Sequence, residues 1–187
     1  MTPNILTILR IFSAPILVIV LSFQNFNMVV LGLSIFIISS FTDFLDGYLA
    51  RSFNQSSKLG KILDPIADKL LVSCALISLV SNNIVNDIHV LAAALIIIRE
   101  IFISGLREYT KGEILSVTFL AKIKTFTQMM AIICLIPSVL IGYDYNLQFY
   151  GLVLLWVSTL LSLFTAYKYV KASLIAVSYT HLRAHET

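Results

Sequence analysis

Six stretches of apolar residues, separated by short polar segments, make up most of this 187-residue chain. They lie at residues 5–23, 28–50, 62–80, 88–106, 118–141 and 147–167. A helix needs about 20 mostly apolar residues to cross the hydrocarbon core of a bilayer, and each stretch is close to that length. No segment shows the alternation of apolar and polar residues that predicts a half-buried strand. We therefore predict an all-α integral membrane protein with six transmembrane helices.

The composition agrees with a membrane location for these helices. Hydrophobic residues make up 58% of the chain, charged residues make up 12%, and the mean hydropathy is +0.92. Soluble domains carry about twice that share of charge. In lipid, every backbone N–H and C=O group must be satisfied within a helix or a closed barrel. Because no strand-like segments occur, helices are the expected spanning structure.

Alternate connections between the apolar stretches differ in their content of basic residues. Segments 24–27, 81–87 and 142–147 contain no lysine or arginine. The remaining connections and the C-terminal flank hold Arg51, Lys58, Lys61, Arg107, Lys111, Lys122, Lys124, Lys168 and Lys171. By the positive-inside rule these segments face the cytoplasm, so we predict that both termini do too. Since no basic patch stands apart from this membrane pattern, we expect no nucleic-acid binding.

The last twelve residues, AVSYTHLRAHET, do not follow the membrane pattern. Their end resembles translated sequencing-adapter read-through at the end of a mis-assembled gene. We therefore predict one membrane domain over residues 1–175 and a non-native tail over residues 176–187. No metal-binding role is assigned to His181 or His185, which lie in this tail.

Four aspartates between positions 43 and 68 are the strongest chemical signal in the chain. An acidic side chain near the middle of a bilayer costs roughly 2.5–3.5 kcal/mol on insertion scales, so a chance cluster is improbable. Asp43 and Asp46 are three residues apart, and Asp64 and Asp68 are four apart. Each pair therefore shares one face of a helix. The link between the two helices is short, so we expect antiparallel neighbours whose acidic faces converge.

Carboxylates gathered in this way repel one another. At about 5 Å and an effective dielectric near 20, each pair costs roughly 3 kcal/mol, which protonation or a bound cation must relieve. Ligand sets made of oxygen favour hard ions such as Mg²⁺ or Mn²⁺. Four carboxylates can bridge two such ions, an arrangement suited to displacement at phosphorus. The alternative is a set of interfacial aspartates that cap helix ends.

Residues 43–68 fit the pattern D-x2-D-G-x2-A-R-x8-G-x3-D-x3-D at every fixed position. This pattern is the signature of the CDP-alcohol phosphatidyltransferases, which the chain resembles over nearly its whole length up to the tail. Segments similar to the glycerophosphate-accepting branch of that family are Pro3–Arg10, Leu63–Lys69, Arg99–Glu108 and Lys122–Met129. The resemblance implies a multi-pass plasma-membrane enzyme of six helices, usually a homodimer, with a cavity open to the cytoplasm and to lipid.

The resemblance also implies roles for individual residues in a reaction between CDP-diacylglycerol and sn-glycerol 3-phosphate. Asp43, Asp46, Asp64 and Asp68 would hold two divalent ions, Mg²⁺ or Mn²⁺, against the CDP diphosphate. By its position in the motif, Asp68 would also be the general base that takes the proton of the attacking hydroxyl. The donor site would include Gly47, Ala50, Arg51 and Gly60, together with Asn4, Thr7 and Arg10 near the N-terminus.

The phosphate of the acceptor needs cations of its own. Arg99 lies about 16 Å from the outer end of its helix, and a charge at that depth should face the bundle interior or a wet cavity. Arg107 and one of Lys122 or Lys124 could complete a glycerol 3-phosphate pocket. The two lysines are about 160° apart on a helix, and Lys124 shares a face with Gln128. Alternatively, Arg99 merely pairs with an internal acid such as Glu100 or Glu108.

Two other functions are alternatives to this one. A sister enzyme of the same family would use serine, inositol phosphate or phosphatidylglycerol as the acceptor. An acceptor that carries no phosphate has no need for three embedded cations. A cation channel or carrier would place acids along a path and often shows internal repeats and broken helices at mid-membrane. Neither repeats nor broken helices are evident in this sequence, and the acids cluster at one membrane boundary.

Overall fold

A computed structural model describes residues 2–53, 58–109, 119–140 and 145–184 of the chain. Within these ranges, the side chains of residues 2–6, 43–53, 58–62, 64, 108–109 and 174–184 are outside the description. The described residues contain helices and no strand, which confirms the all-α prediction. The elements are α1 (Thr2–Leu21), α2 (Phe26–Phe53), α3 (Lys58–Ser81), α4 (His89–Tyr109), α5 (Phe119–Leu135), a 3-10 turn (Ile136–Val139) and α6 (Tyr145–Ala184).

Three of the helices contain described segments that are long and apolar enough to cross a membrane. These segments are His89–Arg107, Phe119–Val139 and Tyr145–Ser173, and shorter apolar segments lie in α1 and α2. Only about a third of each long segment is buried inside the bundle. Large apolar side chains therefore point outward, as they do at Ile98, Phe126 and Leu160. Outward apolar faces suit lipid, which unlike water does not expel them, so the chain is an integral membrane protein.

Helix α1 packs against both α2 and α3, and α5 packs along α6. Two glycines allow close approach at these contacts. A Cβ atom at Gly32 would lie 2.6 Å from Cδ2 of Leu21, and one at Gly151 would lie 2.7 Å from Cδ2 of Leu135. Both distances are shorter than van der Waals contact, so a larger residue would force the leucine side chain, or the helix that carries it, to move. Small residues commonly serve this purpose where membrane helices pack together.

Residues later in α4 contact residues later in α6, so the two helices run parallel to each other. His89 lies against Trp156, Arg99 reaches Thr165, and Arg107 stacks over Tyr169. Chain direction therefore alternates through the bundle. The starts of α1, α3 and α5 meet the ends of α2, α4 and α6 at one end. The predicted site residues all belong to this end, which we call the acidic end.

The opposite end is held together by polar side chains that bridge its connections. Gln24 donates a hydrogen bond from Nε2 to Oδ1 of Asn82 at 2.7 Å. Gln148 at the start of α6 donates from Nε2 to the carbonyl of Ile84 at 3.0 Å. These contacts provide hydrogen-bond partners for backbone and side-chain groups at the helix ends. They also fix the helix ends that lie farthest from the acidic end.

Helix α6 continues through the segment predicted to be a non-native tail and ends at Ala184. Its side chains beyond Ser173 lie outside the description. A continuous helical backbone is compatible with either origin for residues 176–187. The assignment of these residues to a non-native tail stays a prediction.

Candidate functional site

A polar cavity lies between α3, α4 and α5 at the acidic end of the bundle. Acidic, basic and amide side chains share its wall with apolar ones, although the surrounding helices are strongly apolar. The residues that line it are Asp68, Lys69, Val72, Glu100, Lys124, Thr125, Gln128 and Met129. Charged groups inside a membrane bundle are costly unless they pair or meet water. This cavity is therefore the leading candidate for a functional site among the described residues.

Glu100 of α4 lies at the centre of the charged network on the cavity wall. Its Oε1 atom accepts hydrogen bonds from Nζ of Lys124 and from Nη1 of Arg99, the latter at 3.0 Å. The side chains of Arg99 and Lys124 are 8% and 7% exposed, against 19% for Glu100. The acid thus meets the cavity while its two partners are more deeply buried. Each of these buried charges has an opposite charge within reach, which burial requires.

Arg99 is held by α6 as well as by its neighbour. Its Nε donates to the carbonyl of Ser162 at 3.1 Å, and its Nη2 donates to Oγ1 of Thr165 at 2.8 Å. Arg99 faces the bundle interior, as its depth requires, but it is absent from the described lining of the cavity. The pairing with Glu100 corresponds to the alternative considered from the sequence. In this structure Arg99 contacts protein groups at three of its nitrogens.

Lys69 of α3 is a cavity residue that the sequence analysis did not select. Its Nζ donates a hydrogen bond to Oγ of Ser104 on α4. Lys69 lies next to Asp68 and, with it, lines the cavity. A lysine within a predicted membrane helix is expected to face the interior or a cavity, and that signal could have found it. Ser104 carries no comparable signal, because serines are common in membrane helices.

The two candidate lysines of α5 lie on opposite sides of the helix. Lys124 is buried and lines the cavity together with Gln128, whereas Lys122 is exposed. Their separation of about 160° around the helix axis leaves no other outcome. The shared face of Lys124 and Gln128 identified the inward position. We therefore place Lys124 in the candidate pocket and leave Lys122 outside it.

Arg107 occupies the last turn of α4 and is exposed. Its guanidinium carbon lies 5.8 Å from the centre of the Tyr169 ring on α6. An arginine over an aromatic face is a cation–π contact, and it draws this side chain toward α6. Arg107 does not appear in the described lining of the cavity. Its predicted contact with the acceptor phosphate stays a prediction.

Two N-terminal residues predicted for the donor site are buried in the bundle. Thr7 is 1% exposed and Arg10 is 2% exposed, although both belong to an otherwise apolar helix. Nε of Arg10 donates a hydrogen bond to the carbonyl of Ser39 on α2 at 3.3 Å. Ser39 precedes Asp43 by four residues, or about one helical turn. Arg10 thus lies close to the start of the acidic stretch.

The four predicted metal ligands lie on two helices that contact each other. Asp43 and Asp46 belong to α2, and Asp64 and Asp68 belong to α3. Among the described side chains, no group of three potential ligands is found. Only Asp68 of the four has a described side chain, so the predicted cluster lies outside the described residues. The remaining predicted residues with undescribed side chains are Asn4, Gly47, Ala50, Arg51 and Gly60.

The donor chemistry of this set fits a hard divalent ion. All four predicted ligands are carboxylates, and the described one faces a polar cavity, not lipid. Carboxylate oxygens are the ligands that Mg²⁺ and Mn²⁺ prefer. The basic groups on the same cavity wall come from Lys69 of α3 and Lys124 of α5. The arrangement brings acidic and basic groups together within one site.

Known proteins are similar to this chain over most of its length. Residues 1–164 match the CDP-alcohol phosphatidyltransferase family. A protein of Rickettsia felis named CDP-diacylglycerol–glycerol-3-phosphate 3-phosphatidyltransferase is 42% identical over 173 residues, which cover 91% of this chain and 93% of that protein. Relatives with the same name from Rickettsia bellii and Salmonella choleraesuis are 41% and 36% identical. Each alignment also covers 91% of this chain and 93% of the relative.

Proposed function

The chain belongs to the CDP-alcohol phosphatidyltransferase family, and on that premise we propose that it transfers a phosphatidyl group from CDP-diacylglycerol to sn-glycerol 3-phosphate. The products would be phosphatidylglycerophosphate and CMP. The relatives described above carry the name of this activity. The structural observation that supports the proposal is the cavity in which Lys69 and Lys124 share a wall with Asp68. Cations beside a carboxylate suit an acceptor that has both a phosphate and a hydroxyl to deprotonate.

The family generally depends on a divalent metal ion. We assign Asp43, Asp46, Asp64 and Asp68 as the ligands of two such ions, Mg²⁺ or Mn²⁺. When bound, these ions would offset negative charge on the diphosphate of the donor and on the departing CMP. The chain's own contribution would be to hold four carboxylates where α2 and α3 meet. Their mutual repulsion makes the site favourable for cations and unfavourable when empty.

The donor's nucleotide would lie against the motif residues of α2 and α3. Gly47, Ala50 and Gly60 are small and would leave room for the cytidine, and Arg51 would donate hydrogen bonds to a phosphate. On α1, Asn4, Thr7 and Arg10 would complete this side of the site. The contact of Arg10 with Ser39 supports this placement, because it brings α1 to the acidic end of α2.

In the transfer step, the carboxylate of Asp68 would accept the proton of the acceptor's 1-hydroxyl. The hydroxyl oxygen would form a bond to the phosphorus that carries diacylglycerol. The bond from that phosphorus to the bridging oxygen would break, and CMP would leave with the electron pair. A base must lie within hydrogen-bond reach of the proton it takes, and Asp68 lies on the wall of the cavity that would hold the acceptor.

The acceptor's phosphate would meet Lys124 and Lys69, with Arg107 at the rim. Lys124 is buried at the cavity wall, so its charge is poorly screened by water. Arg99 would support Lys124 through Glu100 instead of touching the phosphate, since its nitrogens already contact Ser162 and Thr165. The acceptor pocket is therefore a revised version of the one predicted from the sequence.

An acceptor panel tests the proposed reaction. The purified protein would receive CDP-diacylglycerol with a radiolabelled lipid part and, separately, glycerol 3-phosphate, serine, inositol phosphate or phosphatidylglycerol. We expect labelled phosphatidylglycerophosphate and release of CMP with glycerol 3-phosphate alone. A product formed with serine but not with glycerol 3-phosphate would overturn the assignment of the acceptor while preserving the reaction class.

We further propose that the protein resides in the plasma membrane as a homodimer, with its acidic end and both termini in the cytoplasm. The distribution of lysine and arginine supports this orientation. Exposed residues at the two ends, Lys171 and Asn86, provide labelling positions. In right-side-out vesicles, an impermeant maleimide should label an Asn86→Cys variant and spare a Lys171→Cys variant. The reverse pattern would invert the topology, and a monomeric mass in detergent would argue against the dimer.

A further inference from the structure

Glu100 takes no part in the chemistry of the proposed reaction, yet it contacts two buried cations, Arg99 and Lys124. One oxygen, Oε1, accepts from both Lys124 and Arg99. An acid beside a pocket for a phosphate is unfavourable for binding, since like charges repel. Glu100 must therefore favour binding of the phosphate in another way that offsets this repulsion.

Glu100 can favour phosphate binding by fixing the position of the Lys124 ammonium. A lysine side chain is long and flexible, and an ammonium is a point charge without the fixed geometry of a guanidinium. Lys124 is buried at the cavity wall, and Glu100 is its described ion-pair partner there. Contact with Glu100 restricts the ammonium to one location at the wall. The entropy of ordering this side chain is then lost before the acceptor arrives, which favours binding.

The position of Glu100 is itself fixed from outside the cavity. Arg99 donates to the acid at 3.0 Å and is anchored on α6 by Ser162 and Thr165. A continuous chain of contacts thus runs from α6 through Arg99 and Glu100 to Lys124. Three helices, α4, α5 and α6, contribute to it. Such a supporting layer of contacts is what precise binding sites require.

We infer that Glu100 is a positioning residue for acceptor binding, which holds the ammonium of Lys124 where the phosphate of glycerol 3-phosphate is received. This inference rests on the proposed function and deepens it. Glu100 acts through Lys124 and does not touch the reacting atoms. Its contribution should therefore vanish when Lys124 is absent.

A double-mutant cycle tests this dependence directly. Glu100→Ala should raise the KM for glycerol 3-phosphate by about tenfold, the size expected for loss of a charge-assisted hydrogen bond, and leave the KM for CDP-diacylglycerol within about twofold. In a Lys124→Ala background the same substitution should produce no further rise. A further rise of equal size in that background would overturn the inference. If the unaltered protein makes no product from glycerol 3-phosphate, it is the proposed function that fails.

Conservative variants separate position from charge and remain informative if Glu100→Ala does not fold. Glu100→Gln keeps an oxygen at the same reach, whereas Glu100→Asp keeps the charge but withdraws it by one methylene. We expect the glutamine variant to retain a KM for the acceptor closer to that of the unaltered protein than the aspartate variant does. The opposite order would show that charge, not position, is what matters, and would overturn the inference.

Discussion

Nε of Arg10 on α1 donates a hydrogen bond to the backbone carbonyl of Ser39 on α2 at 3.3 Å. A second contact between the same two helices joins the hydroxyls of Ser13 and Ser39, which lie 3.1 Å apart. Arg10 is 2% exposed, so an always-charged group is fixed inside the bundle. A buried charge of this kind is expensive. Its partner Ser39 lies one turn before Asp43 on α2, which indicates a role for Arg10 at the acidic end.

Replacing Arg10 with lysine should therefore impair both packing and activity. A lysine keeps the charge but lacks the rigid fork of donors, so we expect kcat/KM for CDP-diacylglycerol to fall at least tenfold and the apparent melting temperature in detergent to fall. Ser13→Ala is the matched control. It removes the hydrogen bond that the Ser13 hydroxyl donates to the carbonyl of Arg10 at 2.8 Å and the one that it shares with the Ser39 hydroxyl at 3.1 Å, each worth about 1 kcal/mol, and should keep most of the activity. Full activity in Arg10→Lys would contradict the assignment.

The helices and their order followed from the sequence because apolar stretches of spanning length leave few alternatives in lipid. Helix α3 begins at Lys58, four residues before the apolar stretch at residues 62–80, since charged residues at a membrane boundary can still be helical. The inward side of α5 also followed, because Lys124 and Gln128 are four residues apart. These features depend on local spacing alone.

The partners of individual charges could not be read from the sequence in the same way. From the sequence, the side chain of Arg99 could contact the acceptor phosphate or pair with an internal acid. Both arrangements give a buried charge the partner that it requires. The contacts of Arg99 with Ser162 and Thr165 depend on how α4 and α6 are rotated against each other. Lys69 meets Ser104 for the same reason. Rotation and relative shift of helices arise from packing over the whole bundle, which no short motif records.

Asp68→Asn should abolish turnover while leaving the binding of CDP-diacylglycerol largely intact. The amide has nearly the same size as the carboxylate but cannot take the hydroxyl proton. Loss of kcat by at least a hundredfold is expected, with a donor dissociation constant changed by only a few-fold. Equilibrium binding of labelled donor would measure the second quantity. Strong loss of donor binding would show that Asp68 serves chiefly in holding metal and donor.

Lys124→Ala should raise the KM for glycerol 3-phosphate by one to two orders of magnitude, because a buried charge that faces the cavity is lost. Lys122→Ala is the matched control, since it removes the same side chain from the exposed side of the same helix. Its kinetics should stay within about twofold of the unaltered protein. Equal damage from both substitutions would point to the overall charge of the cytoplasmic surface instead of a defined pocket.

Removal of divalent ions should abolish activity reversibly. After chelation, Mg²⁺ or Mn²⁺ should restore turnover, whereas monovalent salt at matched ionic strength should not. Because the predicted carboxylates repel one another when no cation is bound, the apparent melting temperature should rise on addition of either divalent ion. The rise should disappear in an Asp43→Asn, Asp64→Asn double variant. A rise of the same size in that variant would place the stabilising ion elsewhere.

Trp156→Phe should destabilise the protein without altering its catalysis. The indole Nε1 of Trp156 donates to Nδ1 of His89 at 2.9 Å, at the start of α4 and therefore at the end of the bundle opposite the acidic end. Loss of this hydrogen bond should cost about 0.5–1.5 kcal/mol, visible as a lower apparent melting temperature, with the KM values of both substrates unchanged within about twofold. A His89→Phe variant should reproduce the stability loss, and the double variant should show less than the sum, because each change breaks the same contact. A large rise in the KM for glycerol 3-phosphate would instead mean that packing at this end controls the cavity between α3, α4 and α5.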